Sequence, residues 1–314
     1  MKILITGGFG FLGTTLVEQL LLNTKLDIES ITILDSLLFK EDGGIPILRD
    51  PRVFLKIGDV RNEQLLRQLV SSNDVVYPLA ALVGGPRCAK TPEEAETINY
   101  GHVAVVVDEA RKTGAKVIYP NTNSIYGQSK EPVNEDSPIR CLSVYADTKY
   151  RAEKLVLEYG GISLRLATLA GLSFRQRKDL LVNSMTLSAL SPGYTLLYES
   201  NFQRNYISVR DAARAFVHAL ENYDSMSGRA YNTGNTALNC SKAELAAEIK
   251  KHVPSFVVRE DEFEVDPDQR SYVVLNSRLE ATQFKCEDGF NVIIPQLLKG
   301  YRAILECNTR YSNL

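Results

Sequence analysis

Residues 1–22 constrain the fold more than any other part of the chain. Met1 to Thr6 carries the apolar, strand-like run Ile3-Leu4-Ile5 and passes directly into Gly7-Gly8-Phe9-Gly10-Phe11-Leu12-Gly13. An apolar, helix-like stretch, Thr14 to Leu22, follows. Gly7, Gly10 and Gly13 are spaced G-x-x-G-x-x-G. A strand, a glycine turn and a helix start, in that order, form a cradle for a pyrophosphate. Glycine supplies the positive φ the turn needs. The missing side chains let phosphates approach the backbone, and the helix N-terminus offers free N–H groups. A glycine triplet alone is equally a surface turn. A second signal arrives at the right distance: Ile31 to Leu34 reads as another strand and ends at Asp35, roughly twenty residues beyond the glycines, where a carboxylate accepts the ribose hydroxyls of NAD. Asp35 would repel a 2′-phosphate and Ser36 offers no offsetting charge, so the pattern predicts NAD in preference to NADP.

Composition narrows the function classes. The chain has 314 residues, 44% hydrophobic and 24% charged, enough for a sizeable core in a globular protein. A net charge of −2 argues against nonspecific nucleic-acid binding. No apolar run has the length of a membrane span, and the N-terminus carries no signal-peptide pattern. The expectation is a cytoplasmic protein with no nucleic-acid or membrane partner. The five cysteines and three histidines are scattered, without a CxxC pair or a His/Cys cluster. That excludes a disulfide framework and a metal site from the expectation and fits a reducing compartment.

Along the first half, continuous apolar runs at 2–6, 31–35, 53–57, 74–78, 116–120 and 162–166 alternate with helical patterns at 11–23, 62–71, 92–113 and 143–160. Strands buried on both faces and separated by helices predict an α/β fold. The expectation is a Rossmann-type doubly wound parallel sheet of about seven strands, with a smaller mixed C-terminal substrate-binding lobe. The expected division is 1–169, joined by 204–235, for the dinucleotide-binding part, and 170–203 with 236–314 for the lobe. A basic loop with Arg175, Arg177 and Lys178 lies just beyond the 162–166 strand.

Tyr145 and Lys149 stand four apart in a helical pattern, on one face. An ammonium beside a phenol favours the phenolate, so the tyrosine can work as an acid/base nearer neutral pH. Tyrosine and lysine at this spacing are common on exposed helices, so the pair alone says little. Thr122 strengthens it, because it ends the 116–120 strand at the carboxyl edge of the sheet, where ligands bind in such folds.

Taken in order, Gly7 to Gly13, Asp35, Asp59-Val60, Ala80-Ala81, Asn99, Thr122 with Tyr126-Gly127, and Tyr145 with Lys149 resemble an extended short-chain dehydrogenase/reductase. The resemblance is to the NAD-dependent epimerase/dehydratase family acting on nucleotide sugars, and it spans essentially the whole chain. Arg204 to Asp211 and Arg270 with Tyr272 are similar to the family's late motifs. The resemblance implies Thr122, Tyr145 and Lys149 as catalytic residues: Thr122 bonds the reacting oxygen, Tyr145 transfers its proton, and Lys149 holds the nicotinamide ribose and lowers the phenol pKa. It implies that Gly7, Gly10, Phe11, Leu12, Gly13, Asp35, Asp59, Val60, Leu79, Ala80, Ala81 and Asn99 line the NAD site, with Asp59 and Val60 flanking the adenine. Asn99 fits equally a residue that only braces its helix. Arg204 and Arg270, with guanidinium forks suited to phosphate oxygens, are expected on a substrate diphosphate, and Asn183 beside them, because Thr168 occupies a position where the family often has an asparagine.

Departures from the family pattern shape the expected reaction. Dehydratases of the family place Asp-Glu after the threonine, and decarboxylases rely on a glutamate there; this chain has Asn123-Ser124. An amide and an unactivated hydroxyl supply neither the acid nor the base for eliminating water. The expected activity is NAD-dependent epimerisation of a nucleotide-diphosphate sugar at C4, through transient oxidation and re-reduction. A one-way 4-dehydrogenase or 4-keto reductase is the alternative, and a noncatalytic NAD-binding regulator disagrees with the intact Thr122/Tyr145/Lys149 set. Val103, Val106 and Val107 on one helix, and Leu155, Val156 and Tyr159 on the next, exceed what one sheet face needs, so a homodimer through these helices is expected.

Overall fold

The computed structural model describes residues 1–38, 43–261 and 270–306. Its strands, in chain order, are β1 Lys2–Thr6, β2 Ser30–Asp35, β3 Val53–Ile57, β4 Val75–Pro78, β5 Lys116–Thr122, β6 Ile162–Leu166, β7 Thr168–Ala170, β8 Tyr194–Tyr198, β9 Gln203–Ser208, β10 Ala230–Thr233, β11 Asn235–Ser241 and β12 Val257–Asp261. The longer helices are α1 Phe11–Leu22, α2 Glu63–Ser71, α3 His102–Thr113, α4 Val144–Tyr159, α5 Leu181–Leu190, α6 Val209–Glu221, α7 Lys242–His252 and α8 Phe290–Glu306.

Seven strands form one parallel sheet in the order β10-β6-β5-β4-β1-β2-β3. The expected Rossmann-type doubly wound sheet is therefore present. The order reverses between β1 and β4, where Thr6 lies in register with Pro78. Alternation along β1 shows how both faces are covered. Ile3 and Ile5 join one core with Leu16 and Leu20 of α1 and Phe216 and Leu220 of α6. Leu4 between them faces the opposite core, with Leu66 and Val70 of α2, Val106 of α3 and Val156 of α4.

That second core removes the sequence argument for a dimer seam. Val103, Val106, Val107 and Val156 are buried within the chain itself and pack against α2 and the sheet. The outward faces of these helices carry ion pairs instead, among them Arg67–Asp108, Lys112–Glu109 and Arg151–Asp147.

Two other details depart from the expectation. The helical stretch 92–113 is interrupted by a π-helical turn, Glu96–Gly101, a local widening often found at functional sites. The small lobe also begins differently. β9 runs parallel to β7 and antiparallel to β11 in a three-stranded mixed sheet, while β8 and β12 pair in parallel. Arg204 to Ser208 thus pair in the small mixed sheet, with Ile207 packed against Leu12, Leu166 and Ala212, and α6 and β10 follow. The lobe has its own core, which includes Val182, Met185, Tyr206, Phe256, Ile294 and Tyr301.

Candidate active site

The carboxyl ends of β1, β4 and β5 assemble the site. After β1 the chain turns at Gly7 with φ of 70°, and a Cβ there would sit 2.8 Å from the Ala80 backbone. A Cβ on Gly13 would sit 2.6 Å from the Gly7 carbonyl oxygen. Both glycines are therefore required for α1, the turn and the segment after β4 to pack this closely. Leu79 N–H donates to the Thr6 carbonyl at 3.0 Å, and Ala80 N–H to the Thr6 hydroxyl at 3.3 Å. This places Leu79, Ala80 and Ala81 beside the glycine turn.

The start of α1 is left open for an anion. Its N-cap, Gly10, has no side chain to cap the helix, and the first turn, which contains Phe11 and Leu12, holds no acidic residue. Asp35 ends β2 alongside. Its carboxylate accepts from Phe9 N–H at 3.0 Å and Leu37 N–H at 2.9 Å, so it is fixed at the rim of the turn. Glycine-only close packing, an uncapped helix start and a rim carboxylate fit a dinucleotide. Asp35→Asn keeps an oxygen for one of these backbone donors and removes the charge. We expect it to erode the preference for NAD over NADP by at least about tenfold in a fluorescence titration of the reduced cofactors, about 1.4 kcal/mol of discrimination. An unchanged preference would assign the selectivity elsewhere.

The catalytic candidates converge from β5 and α4. Thr122 is the last residue of β5; its hydroxyl caps the following turn, accepting from Ser124 N–H at 3.1 Å and pairing with the Ser124 hydroxyl at 2.8 Å. The loop after the turn leads to Ser143, which caps α4 by accepting from Ala146 N–H at 3.2 Å. That cap fixes where Tyr145 and Lys149 point. Thr122 is near enough to Tyr145 to draw its phenol downward. Lys149 lies one turn on, buried, with its ammonium 4.1 Å from the centre of the Tyr119 ring on β5. The Tyr119 hydroxyl donates back to the Lys149 carbonyl at 3.3 Å.

Burial dominates the charge states here. It lowers Lys149 to about 7, with Glu153 pulling the other way. It raises the Tyr145 phenol above its ordinary value, against the nearby charges of Arg270 and Arg177 and the pull of Thr122. The sequence expectation assigned the downward pull on Tyr145 to Lys149. In the structure it comes from arginines of the lobe side, and it does not overcome desolvation.

Several expected cofactor and substrate contacts are placed differently. Asn99, in the π-helical turn, is fully buried: its amide accepts from Leu82 N–H at 2.8 Å and donates to the Leu82 carbonyl at 3.0 Å and the Thr148 hydroxyl at 3.3 Å. It ties the loop after β4 to Thr148 of α4, the residue before Lys149. Asn183 is likewise committed to backbone, bonding both Gly171 N–H and carbonyl and the Arg177 carbonyl. It clamps the basic loop, so the expected contact of its amide with a diphosphate is corrected. Asp59 is paired with Arg61 across a two-pronged bond, and Val60 is buried under it in the core of α2. Arg204, on β9, is buried, and Arg270 donates to the Ser124 hydroxyl. Both arginines act electrostatically on Tyr206, whose buried hydroxyl has no partner among the described residues.

Sequence reasoning missed two residues here. Ser124 was read as a missing carboxylate, yet its hydroxyl joins Thr122 to Arg270. Ser173 donates to the Phe11 carbonyl at 2.7 Å and bonds Thr14 and Thr15, fastening the basic loop to the start of α1. Neither carries a local signal, since both contacts span long stretches of chain.

Comparison with known proteins agrees with this geometry. The model of the NAD dependent epimerase/dehydratase family matches residues 3–234. The chain belongs to this family, and NAD is the cofactor its cradle serves. Over 95% of its length it is 25% identical to D-erythronate dehydrogenase of Haemophilus influenzae, covering 99% of that protein. It is 27% identical to the UDP-N-acetyl-alpha-D-glucosaminuronate decarboxylase of Bacillus cytotoxicus, over 74% of the chain and 75% of that relative. The UDP-glucuronic acid 4-epimerase of Bacillus cereus, solved with UDP-glucuronic acid and NAD, superimposes with a TM-score of 0.86 at 23% identity, over 97% of this chain and all 100% of that one. Among the described residues no helix is long and apolar enough to cross a membrane, and no cluster of His, Cys, Asp and Glu could hold a metal ion.

Proposed function

We propose that this chain is an NAD-dependent epimerase that inverts C4 of a nucleotide-diphosphate sugar. One observation carries the reading. Thr122 at the end of β5 and Tyr145 and the buried Lys149 of α4 converge at one edge of the sheet, and the two positions after Thr122 hold an amide and a hydroxyl in place of carboxylates. NAD, when bound in the cradle, supplies a reversible two-electron acceptor beside the sugar. Tyr145, drawn toward the phenolate by Arg270 and Arg177 and by the positive charge a bound nicotinamide would bring, takes the C4 hydroxyl proton and later returns it, while Thr122 holds that oxygen in place. Lys149 holds the nicotinamide ribose. Arg204 and Arg270 take the diphosphate, leaving the sugar ring room to turn between the two half-reactions. The glycine cradle and Asp35 hold the rest of the dinucleotide.

A one-way dehydrogenase is the second reading. It draws support from the full-length similarity to a D-erythronate dehydrogenase. Mass spectrometry of products from a panel of UDP- and dTDP-sugars and D-erythronate separates the two. We expect a sugar nucleotide converted with unchanged mass. Loss of two hydrogens with accumulation of reduced cofactor would establish the dehydrogenase. Loss of water or carbon dioxide would overturn both, because Asn123 and Ser124 lack usable proton affinity at neutral pH.

The reading includes a cytoplasmic, symmetric homodimer. With the valines of α3 and Val156 of α4 in the core and ion pairs on the outward faces, a contact there is sensitive to salt. Light scattering should return twice the 35.0 kDa chain mass at micromolar concentration. A single-chain mass at low ionic strength would remove the dimer from the proposal.

A further inference from the structure

Behind the reacting groups lies a polar cluster that the proposed chemistry does not use. Its centre is Glu153, one turn beyond Lys149 on α4 and fully buried. One carboxylate oxygen accepts from Asn121 Nδ2 at 2.7 Å, Ser163 Oγ at 2.7 Å and Arg165 Nε at 3.0 Å. The other accepts from Arg165 Nη2 at 2.8 Å. Asn121 immediately precedes Thr122 on β5, and Ser163 and Arg165 lie on β6. One side chain thus fastens the helix of Tyr145 to the strand end of Thr122 and to the next strand.

The cluster continues toward the lobe. Arg165 Nη1 donates to the Tyr126 hydroxyl at 2.8 Å and the Glu135 carbonyl at 3.0 Å, and Tyr126 donates to Asn232 Oδ1 at 2.6 Å. Asn232 Nδ2 donates to the Leu275 carbonyl at 3.0 Å, five residues after Arg270. A merely structural ion pair needs no such placement, because a buried pair is on average no more stabilising than apolar residues of the same volume.

We propose that Glu153 is a positioning residue of the active site: its carboxylate favours the ammonium form of Lys149, one turn before it on α4, and through Asn121 sets Thr122 beside Tyr145. The inference rests on the assignment of Thr122, Tyr145 and Lys149 made above. The ionisable groups facing Lys149 come from every element around it. They are Tyr145 and Glu153 on α4, Tyr119 from β5, Cys88 from the Gly85–Lys90 helix and His102 from α3. Among these, the Glu153 carboxylate is the first influence opposing burial at Lys149. Arg165 shares that carboxylate without cancelling its effect on Lys149.

The test reads Lys149 directly and needs no substrate. The full chain is labelled with lysine carrying 13C at Cε, and the Lys149 resonance is identified by its loss in Lys149→Met. Its midpoint is then followed with pH in the wild type, Glu153→Gln and the double variant Glu153→Gln, Arg165→Met. Loss of the negative charge should lower the midpoint by at least about one pH unit. The double variant removes the guanidinium that Glu153→Gln leaves unpaired. We expect it to recover melting temperature while its Lys149 midpoint stays low, a separation that a bracing role alone would not give. A Lys149 midpoint unmoved in either folded variant would overturn the proposal. Failure of the sugar-conversion assay would leave this readout intact, so the two readings fail separately.

Discussion

Tyr145→Phe should reduce turnover of the converted substrate by roughly two to four orders of magnitude, the range for removing a positioned proton carrier. The substitution keeps the ring and its packing and deletes only the hydroxyl that lies beside Thr122. NAD affinity should be nearly unchanged, because the cradle of Gly7, Gly10 and Gly13, the rim carboxylate of Asp35 and the ammonium of Lys149 all remain. The loss should fall on kcat with KM retained, since the phenol acts on a proton that moves only during reaction. Thr122→Val should cost less, because its hydroxyl orients the oxygen and never holds the proton. Stopped-flow measurement of cofactor reduction within one turnover checks both variants. Near-normal reduction by Tyr145→Phe would transfer the acid/base role elsewhere. Ser124 would be the first alternative, as its hydroxyl already bonds Thr122 and Arg270.

The parts of this protein legible in the sequence are those with local or periodic causes. The glycine turn reads directly because a Cβ on Gly7 or Gly13 would strike backbone, so no other residue type fits. The sheet reads directly because strands covered on both faces are continuous apolar runs, as in Ile3-Leu4-Ile5. Tyr145 and Lys149 share a face by helical period alone. What the sequence does not reveal depends on tertiary contacts. The valines of α3 look the same whether they meet a second copy or α2, and only packing shows that they meet α2. Asn183 has the right residue type in the right region for a phosphate contact, yet its amide is consumed by Gly171 and Arg177. Residues 204–208 continue the pattern of a buried strand, and nothing local tells which sheet that strand joins. Glu153 reads as one more helix carboxylate until β5 and β6 are placed beneath it.

The charge of Lys149 should appear in the stability of the chain without cofactor as a dependence on pH. Lysine in the unfolded chain titrates near 10.4, whereas burial brings folded Lys149 down to about 7. Between these values the unfolded state holds more protons than the folded state, so stability rises with pH. The contribution is fully present above the unfolded value and is lost as pH falls through the folded one. From pH ~7 to ~9.5 the two titrations give a rise of about 3 kcal/mol for this one group. Buried tyrosines act in the opposite sense. Burial raises the Tyr77 and Tyr119 phenols well above their ordinary value, so the stability they contribute is present below the unfolded value near 10 and is lost only at higher pH. Burial likewise raises the Cys141, Cys240 and Cys286 thiols, whose opposing effect begins near pH ~8.5, so the lysine is isolated by comparison with a variant that differs only there. Urea denaturation across this window should show the wild type gaining stability relative to Lys149→Met, which keeps the length of the side chain and cannot titrate. Parallel curves for the two proteins would mean that Lys149 stays protonated throughout the window. The ammonium would then be held far more firmly by Glu153 and the face of Tyr119 than burial opposes it.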